Sequence, residues 1–174
     1  MKVLDIDVEL VRKRLLELGA KQVKKGRETN QMYDFPDERL WEDGGYARIR
    51  AFNGKSILTF KRRLPGTTYK KSVEIETVVE DGAAMSGILL ALGLKLRRTD
   101  EKDRESYRLG DVLYEIDHWP TVPPYLEVEA PTEALVEQGL ATLGIKRDDK
   151  VTSERLDQIL KRHYNREMPP DLKF

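Results

Sequence analysis

Apolar and polar residues alternate with a period of two along most of this chain. Such alternation marks strands, because successive side chains of a strand point to opposite faces. It predicts strands over residues 21–33, 46–52, 56–62, 70–79, 95–109, 112–117 and 125–130, with a further strand at 1–6. Helical spacing takes over in short windows. Val8, Val11, Leu15 and Leu18 share one face of a helix over 8–18, and Met85, Ile88, Leu89 and Leu92 fall within a helix over 81–92. Asp7 can cap the first, and Gly19 and Gly93 stop the two. A third helix runs from Thr132 to about residue 143, and a fourth from Thr152 or Ser153 to about residue 164.

The connections are equally legible. Asn53-Gly54 is a hairpin signal between two strands. Pro65-Gly66 and Gly110-Asp111 read as turns, and residues 35–45, with Pro36 and Gly44-Gly45, as a loop or hairpin. The order of elements predicts an α+β domain built on a large antiparallel sheet over residues 1–165, followed by a loose tail at 166–174.

The polar side of these strands is unusual. Arg48 and Arg50 alternate in one strand, Thr59 and Lys61 in the next, then Glu74 and Glu76, Lys102 and Arg104, Glu115 and Asp117, and Glu127 and Glu129. Both signs of charge therefore line one face of strand after strand. A sheet with a charged inner face and an apolar outer face is expected to close as a barrel, with Ile49, Leu58, Phe60, Val73, Ile75 and Val128 packed under the helices.

Composition narrows the chemistry. The 174 residues carry 31 basic and 31 acidic side chains, so net charge gives no case for nucleic acid or an anionic membrane. No cysteine is present, which removes thiolate chemistry and fits a reducing cytoplasm, and two histidines are too few for a histidine metal site. No signal segment or long apolar run is found. Trp41, Trp119, Tyr33 and Tyr107 read first as packing residues, and His118 and His163 as surface or structural ones.

Buried rows of both signs need compensation. Internal Arg–Glu pairing is one solution. A bound polyanion with divalent cations is another, in which Arg and Lys hold phosphate oxygens and carboxylates hold Mg²⁺ or Mn²⁺.

In their order and spacing, Val3-Leu-Asp-Ile-Asp7, Ala47-Arg-Ile-Arg50, Leu58-Thr-Phe-Lys61, Val73-Glu-Ile-Glu76, Lys102-Asp-Arg104 and Tyr125-Leu-Glu-Val-Glu129 resemble the CYTH family of triphosphate tunnel metalloenzymes. The similarity spans residues 2–164 and looks most like the branch of class IV adenylyl cyclases. The resemblance implies a closed eight-stranded antiparallel barrel forming a tunnel, and a homodimer as its frequent assembly. It implies phosphate binding by Arg48, Arg50, Lys61, Lys102 and Arg104, and metal binding by Glu127, Glu129 and Asp117. Glu74 and Glu76 match further tunnel carboxylates, and Lys2 and Asp117 match positions tied to catalysis. The family opens on Glu-x-Glu-x-Lys. Lys2 falls on that lysine, and both glutamates would precede Met1, so the sequence is expected to be cut at its amino end and impaired as written.

The implied activity is metal-dependent hydrolysis of an inorganic, nucleoside or thiamine triphosphate. One alternative is cyclisation of ATP to cyclic AMP and pyrophosphate. A second is a module that binds polyphosphate or nucleotide without turnover.

Overall fold

Nine strands and five helices carry the described residues, which in this computed structural model are 1–64, 72–148 and 150–174. In chain order they are β1 (Lys2–Val3), α1 (Val8–Glu17), β2 (Lys21–Asp34), α2 (Arg39–Glu42), β3 (Gly45–Phe52), β4 (Lys55–Arg63) and β5 (Ser72–Val79). There follow α3 (Gly82–Ala91), β6 (Lys95–Leu109), β7 (Val112–His118), β8 (Tyr125–Glu129), α4 (Glu133–Thr142), β9 (Val151–Thr152) and α5 (Leu156–Tyr164). The Pro65-Gly66 turn, and the start of the strand expected from residue 70, lie outside the described residues. No described helix is long and apolar enough to cross a membrane.

Local chemistry sets most boundaries. The Asp7 carboxylate accepts from the Leu10 N–H at 3.0 Å, and Asp81 accepts from Ala83 and Ala84 at 2.8 and 2.9 Å. These side chains satisfy N–H groups that a helix start leaves open. Asn53 and Gly54 both take positive φ, 47° and 72°, which a two-residue hairpin turn requires. Four expectations are corrected. The first strand ends at Val3, because Asp5 adopts a left-handed φ of 52° that breaks an extended chain. Residues 35–45 hold a short helix, α2, organised by the buried Asp34 carboxylate, which accepts from the Phe35, Leu40 and Trp41 N–H groups. Thr152 lies in β9 rather than capping a helix; α5 begins after Arg155, whose N–H donates to the Gln158 side chain at 3.0 Å. The tail does not hang loose at its end. Leu172 is buried and bridges Asp100, with its N–H donating to the Asp100 carboxylate at 3.0 Å.

The strands form one antiparallel sheet in the order β5-β4-β3-β2-β6-β7-β8-β1-β9. Its ends are β5 and β9, so the sheet has nine strands and is not the closed eight-stranded barrel expected. Two local facts accompany the open edge. The Glu74 and Glu76 carboxylates of β5 find cations on β4 and β3 without any further strand. On the other side of β5, Val73 and Ile75 do not pack under helices as expected; Ile75 is 65% exposed.

The described residues fall into two compact units. One comprises Met1–Gly26 and Asp103–Pro169, the other Arg27–Lys102 and Pro170–Phe174. In the second unit, Tyr33, Ala47, Ile49, Leu89 and Leu94 form a core, with Leu58 and Met85 against it. The start of α3 lies tight on β4, where a Cβ at Gly82 would sit 2.5 Å from Ser56 Oγ. In the first unit, Leu4, Tyr125 and Ile159 pack with Trp119, Leu156 and Tyr164. The α4 helix lies on β7 and β8 through Gly139, whose carbonyl accepts from the Tyr114 hydroxyl at 3.1 Å. The α1 helix is tied to β6 by Arg12, which donates to both Glu105 oxygens at 3.1 and 2.8 Å.

Two outcomes test this packing. A Cβ at Gly139 would lie 2.9 Å from Val112 Cγ1 and 3.2 Å from Val128 Cγ1, so Gly139→Leu should cost about 1–3 kcal/mol. Urea unfolding reads this, and an unchanged midpoint would show that α4 does not rest on β7. Burial alone would raise the Glu105 pKa, but hydrogen bonds from Arg12, Tyr107 and Lys25 and the Arg12 charge outweigh it and lower the pKa to about 2. A lowered carboxylate pKa stabilises the fold above the unfolded value near 4.5 and ceases to do so as pH falls through about 2. Arg12→Gln should therefore be less stable than the parent at pH 7, with the gap closing as pH falls through that window. A gap independent of pH would assign Arg12 a packing role only.

Candidate functional site: an acidic cluster and an arginine row

In the first unit, β6, β7, β8 and β1 lie side by side, and register decides which side chains meet. Arg104 faces Asp117, Ser106 faces Glu115, Glu115 faces Glu127, and Lys2 faces Glu127. Directly paired residues share a face. Asp117 is fully buried and Arg104 is 8% exposed. Such a cation is tolerable only with close partners. Arg104 has three: Asp117, in a two-pronged contact at 2.5 and 2.6 Å, Glu127 at 3.2 Å, and Glu115. Burial pulls the Arg104 pKa down, but the charge and hydrogen bonds of Asp117, with the charges of Glu115 and Glu127, push it well above its ordinary value. Lys2 Nζ reaches Glu127 Oε1 at 3.0 Å. Burial, then the charges of Asp117 and Glu127, raise the nearby Tyr125 phenol well above its usual range, so it stays protonated.

The side chains of this cluster do not balance. Lys2 and Arg104 stand against Glu115, Asp117, Glu127 and Glu129, a formal charge of −2. Glu115, Glu127 and Glu129 each offer an oxygen within 4.8 Å of the others. An all-carboxylate set is hard and suits Mg²⁺ or Mn²⁺ rather than a thiophilic metal. The residues present therefore fit a divalent cation in charge and in donor type.

In the second unit, β2, β3, β4 and β5 carry the basic row. Arg50 Nη2 lies 3.4 Å from Glu76 Oε1, and Arg48 Nη2 lies 3.9 Å from the same atom. Thr59, fully buried between them in register, donates to that oxygen at 2.7 Å. Lys61 pairs with Glu74. Lys102 lies 3.6 Å from the buried Glu28. These contacts compensate some of the charge, yet the Arg48 Nε–H is buried with no hydrogen-bond acceptor among the described residues. On β2, the Asn30 side chain is buried, and its Oδ1 has no donor among them.

Of the residues singled out from the sequence, Lys2, Arg104, Asp117, Glu127 and Glu129 thus lie in the first unit, and Arg48, Arg50, Lys61, Glu74, Glu76 and Lys102 in the second. Glu115, Glu28 and Asn30 were not among the candidate site residues. Glu115 had a signal, its alternation with Asp117. Glu28 and Asn30 had little, because Lys21–Asp34 is polar nearly throughout and hides which of its faces is interior.

The profile of the CYTH domain matches residues 1–153. A Methanocaldococcus jannaschii protein named "Putative adenylate cyclase MJ0240" is 27% identical over 164 residues, 94% of each chain. Among solved structures, the PH1012 protein of Pyrococcus horikoshii is similar with a TM-score of 0.75 and 21% identity, covering 89% of this chain and 95% of that one. HpAC1 of Hippeastrum, described as a "putative adenylyl cyclase" with a dominant triphosphatase activity, has a TM-score of 0.65 and 14% identity, covering 98% and 97%.

The charge imbalance makes a prediction. Arg104→Met leaves Glu115, Asp117 and Glu127 without their shared cation and should cost about 3–5 kcal/mol in EDTA. Millimolar Mn²⁺ should return part of that loss, because an ion that binds only the folded state stabilises it. Unfolding curves with and without Mn²⁺ check this; a variant indifferent to Mn²⁺ would remove the cluster as a cation site.

Proposed function

The chain belongs to the CYTH domain family, and from that premise we propose that it is a divalent-metal-dependent hydrolase of a triphosphate. The observation that carries this reading is the buried Nε–H of Arg48, beside Arg50, which has no acceptor among the described residues. A guanidinium fully satisfied by protein carboxylates would have no use for an anion. One with a buried donor left over is suited to a phosphate oxygen, for which arginine's planar fork is well matched. In this reading Arg48, Arg50, Lys61 and Lys102 neutralise and position the phosphate chain, with Glu74 and Glu76 as their counter-charges. Glu115, Glu127 and Glu129 hold Mg²⁺ or Mn²⁺; Asp117, expected as a further ligand, instead gives both its oxygens to Arg104, which keeps these carboxylates together. Lys2 tempers the charge on Glu127. The bound cation supplies charge neutralisation and lowers the pKa of an attacking water. Phosphoryl transfer asks little else of a protein than positioning and electrostatics, and no thiol or imidazole nucleophile is needed. The triphosphatase activity described for the Hippeastrum protein supports this reading.

Cyclase activity is the second reading, favoured by the name of the Methanocaldococcus jannaschii relative. In it the ribose 3′-oxygen attacks the α-phosphorus, its proton leaves to solvent or a carboxylate, and pyrophosphate departs.

³¹P NMR separates the readings. Incubation with tripolyphosphate, thiamine triphosphate or ATP in Mg²⁺ or Mn²⁺ should release terminal phosphate, and Arg48→Ala should reduce that release at least ~100-fold. Pyrophosphate with cyclic AMP would establish the cyclase instead. Binding without turnover would leave a polyphosphate-binding module, and Arg48→Ala behaving as the parent would overturn the assignment of the arginine row.

A further inference from the structure

We infer that Thr59 is a positioning residue of the arginine row: its hydroxyl holds the Glu76 carboxylate back from Arg48 and Arg50, and so keeps their donors open to a phosphate. The inference deepens the triphosphate reading above and rests on it. Its ground is the register of β3, β4 and β5. Arg48 faces Thr59 across the first pair of strands, and Thr59 faces Glu76 across the second. Directly paired residues share a face, and neighbouring strands lie about 4.8 Å apart. Arg48 and Glu76 thus point the same way from backbones roughly 10 Å apart. Only the short, fully buried Thr59 side chain stands between them in the row. Long side chains of opposite charge have the reach to meet over so short a residue.

Here they barely meet. Thr59 Oγ1 donates to Glu76 Oε1 at 2.7 Å. Arg50 Nη2 lies 3.4 Å from that same oxygen and Arg48 Nη2 3.9 Å, both beyond the roughly 2.7–3.2 Å of an ordinary N–H···O bond. Other arginines of the chain close on carboxylates in two-pronged contacts. Arg12 does so on Glu105, Arg98 on Asp100 and Arg104 on Asp117, at 2.5 to 3.1 Å. Such a fork from Glu76 would occupy the N–H groups that a phosphate needs. It has not formed: the buried Arg48 Nε–H has no acceptor among the described residues. A hydroxyl bond to a carboxylate is charge-assisted and strong, so it fixes Oε1 over β4. Glu76 is left as a loosely engaged counter-charge. Without the hydroxyl the carboxylate is free to fork onto a guanidinium, and an incoming phosphate must first break that pair.

Calorimetry in Mg²⁺ with imidotriphosphate, a tripolyphosphate analogue whose P–N–P bridges resist hydrolysis, tests this. Thr59→Val keeps the shape of the side chain, loses the hydroxyl, and should weaken binding about 10-fold. Thr59→Ser, which keeps the hydroxyl, should restore the parent's affinity. Glu76→Gln should bind more tightly than the parent, because a neutral amide competes less for the arginines. The double variant of Thr59→Val with Glu76→Gln should regain what Thr59→Val lost, a recovery that a merely structural role for Thr59 does not predict. Urea unfolding shows that each variant is folded, and Glu76→Gln carries the test by itself if Thr59→Val is not. Parent-like binding by Thr59→Val, or no recovery in the double variant, would overturn the inference. Weaker binding by Glu76→Gln would overturn it as well, since Glu76 would then aim the arginines rather than compete for them. If the parent does not bind imidotriphosphate, or Arg48→Ala leaves binding intact, the triphosphate reading itself fails and this inference with it.

Discussion

A guanidinium buried among carboxylates is the constraint on which the first unit depends. Arg104 brings β6 into register with β7 through Asp117, and its further contacts with Glu115 and Glu127 extend that hold to β8. Removing any one strand from this arrangement would leave charge in a low-dielectric environment, at a cost of several kcal/mol per ion. The arrangement is also deliberately incomplete. Three of its carboxylates, Glu115, Glu127 and Glu129, converge within 4.8 Å, and that convergence makes the cluster a candidate cation site rather than a structural ion pair alone.

The second unit solves the same problem with the opposite sign. There the cations outnumber the carboxylates paired directly with them on β3, β4 and β5, and Glu76 is shared between two arginines and a threonine. A carboxylate held this way acts as a resident anion. It draws Arg48 and Arg50 toward one oxygen, so that a larger anion meets side chains already aimed. The orphaned atoms of Arg48 and Asn30 lie on this same face, which is where an apolar core would never leave them.

Much of this was legible from the chain itself, and the failures have physical causes. Alternation placed β3, β4, β6, β7 and β8 to within a residue or so, because a charged face and an apolar face give the strongest period-two signal a strand can have. Asp7, Thr132 and Asn53-Gly54 announced their caps and turn through chemistry that acts over three residues. The short α2 was missed because its organiser, Asp34, lies at the end of the preceding strand and caps at a distance of six and seven residues. β9 was missed because two residues carry no period. Closure into a barrel is a property of the whole sheet, and no local pattern encodes whether its last strands meet. Asn30 and Glu28 were hidden by a strand polar on both faces, where burial and not residue type reveals the interior.

The register of β1 has a bearing on how the chain reaches this structure. Lys2 pairs with Glu127, 125 positions away, and its other side pairs with β9. Contacts of such separation close late, since the intervening loop must first be gathered by its own structure. During synthesis the second unit's body, residues 27–102, is complete in sequence long before β8 emerges, whereas β1 must wait for β8 and β9. The β1 segment is therefore made early and fixed late, and until β8 is made Lys2 waits without this carboxylate partner.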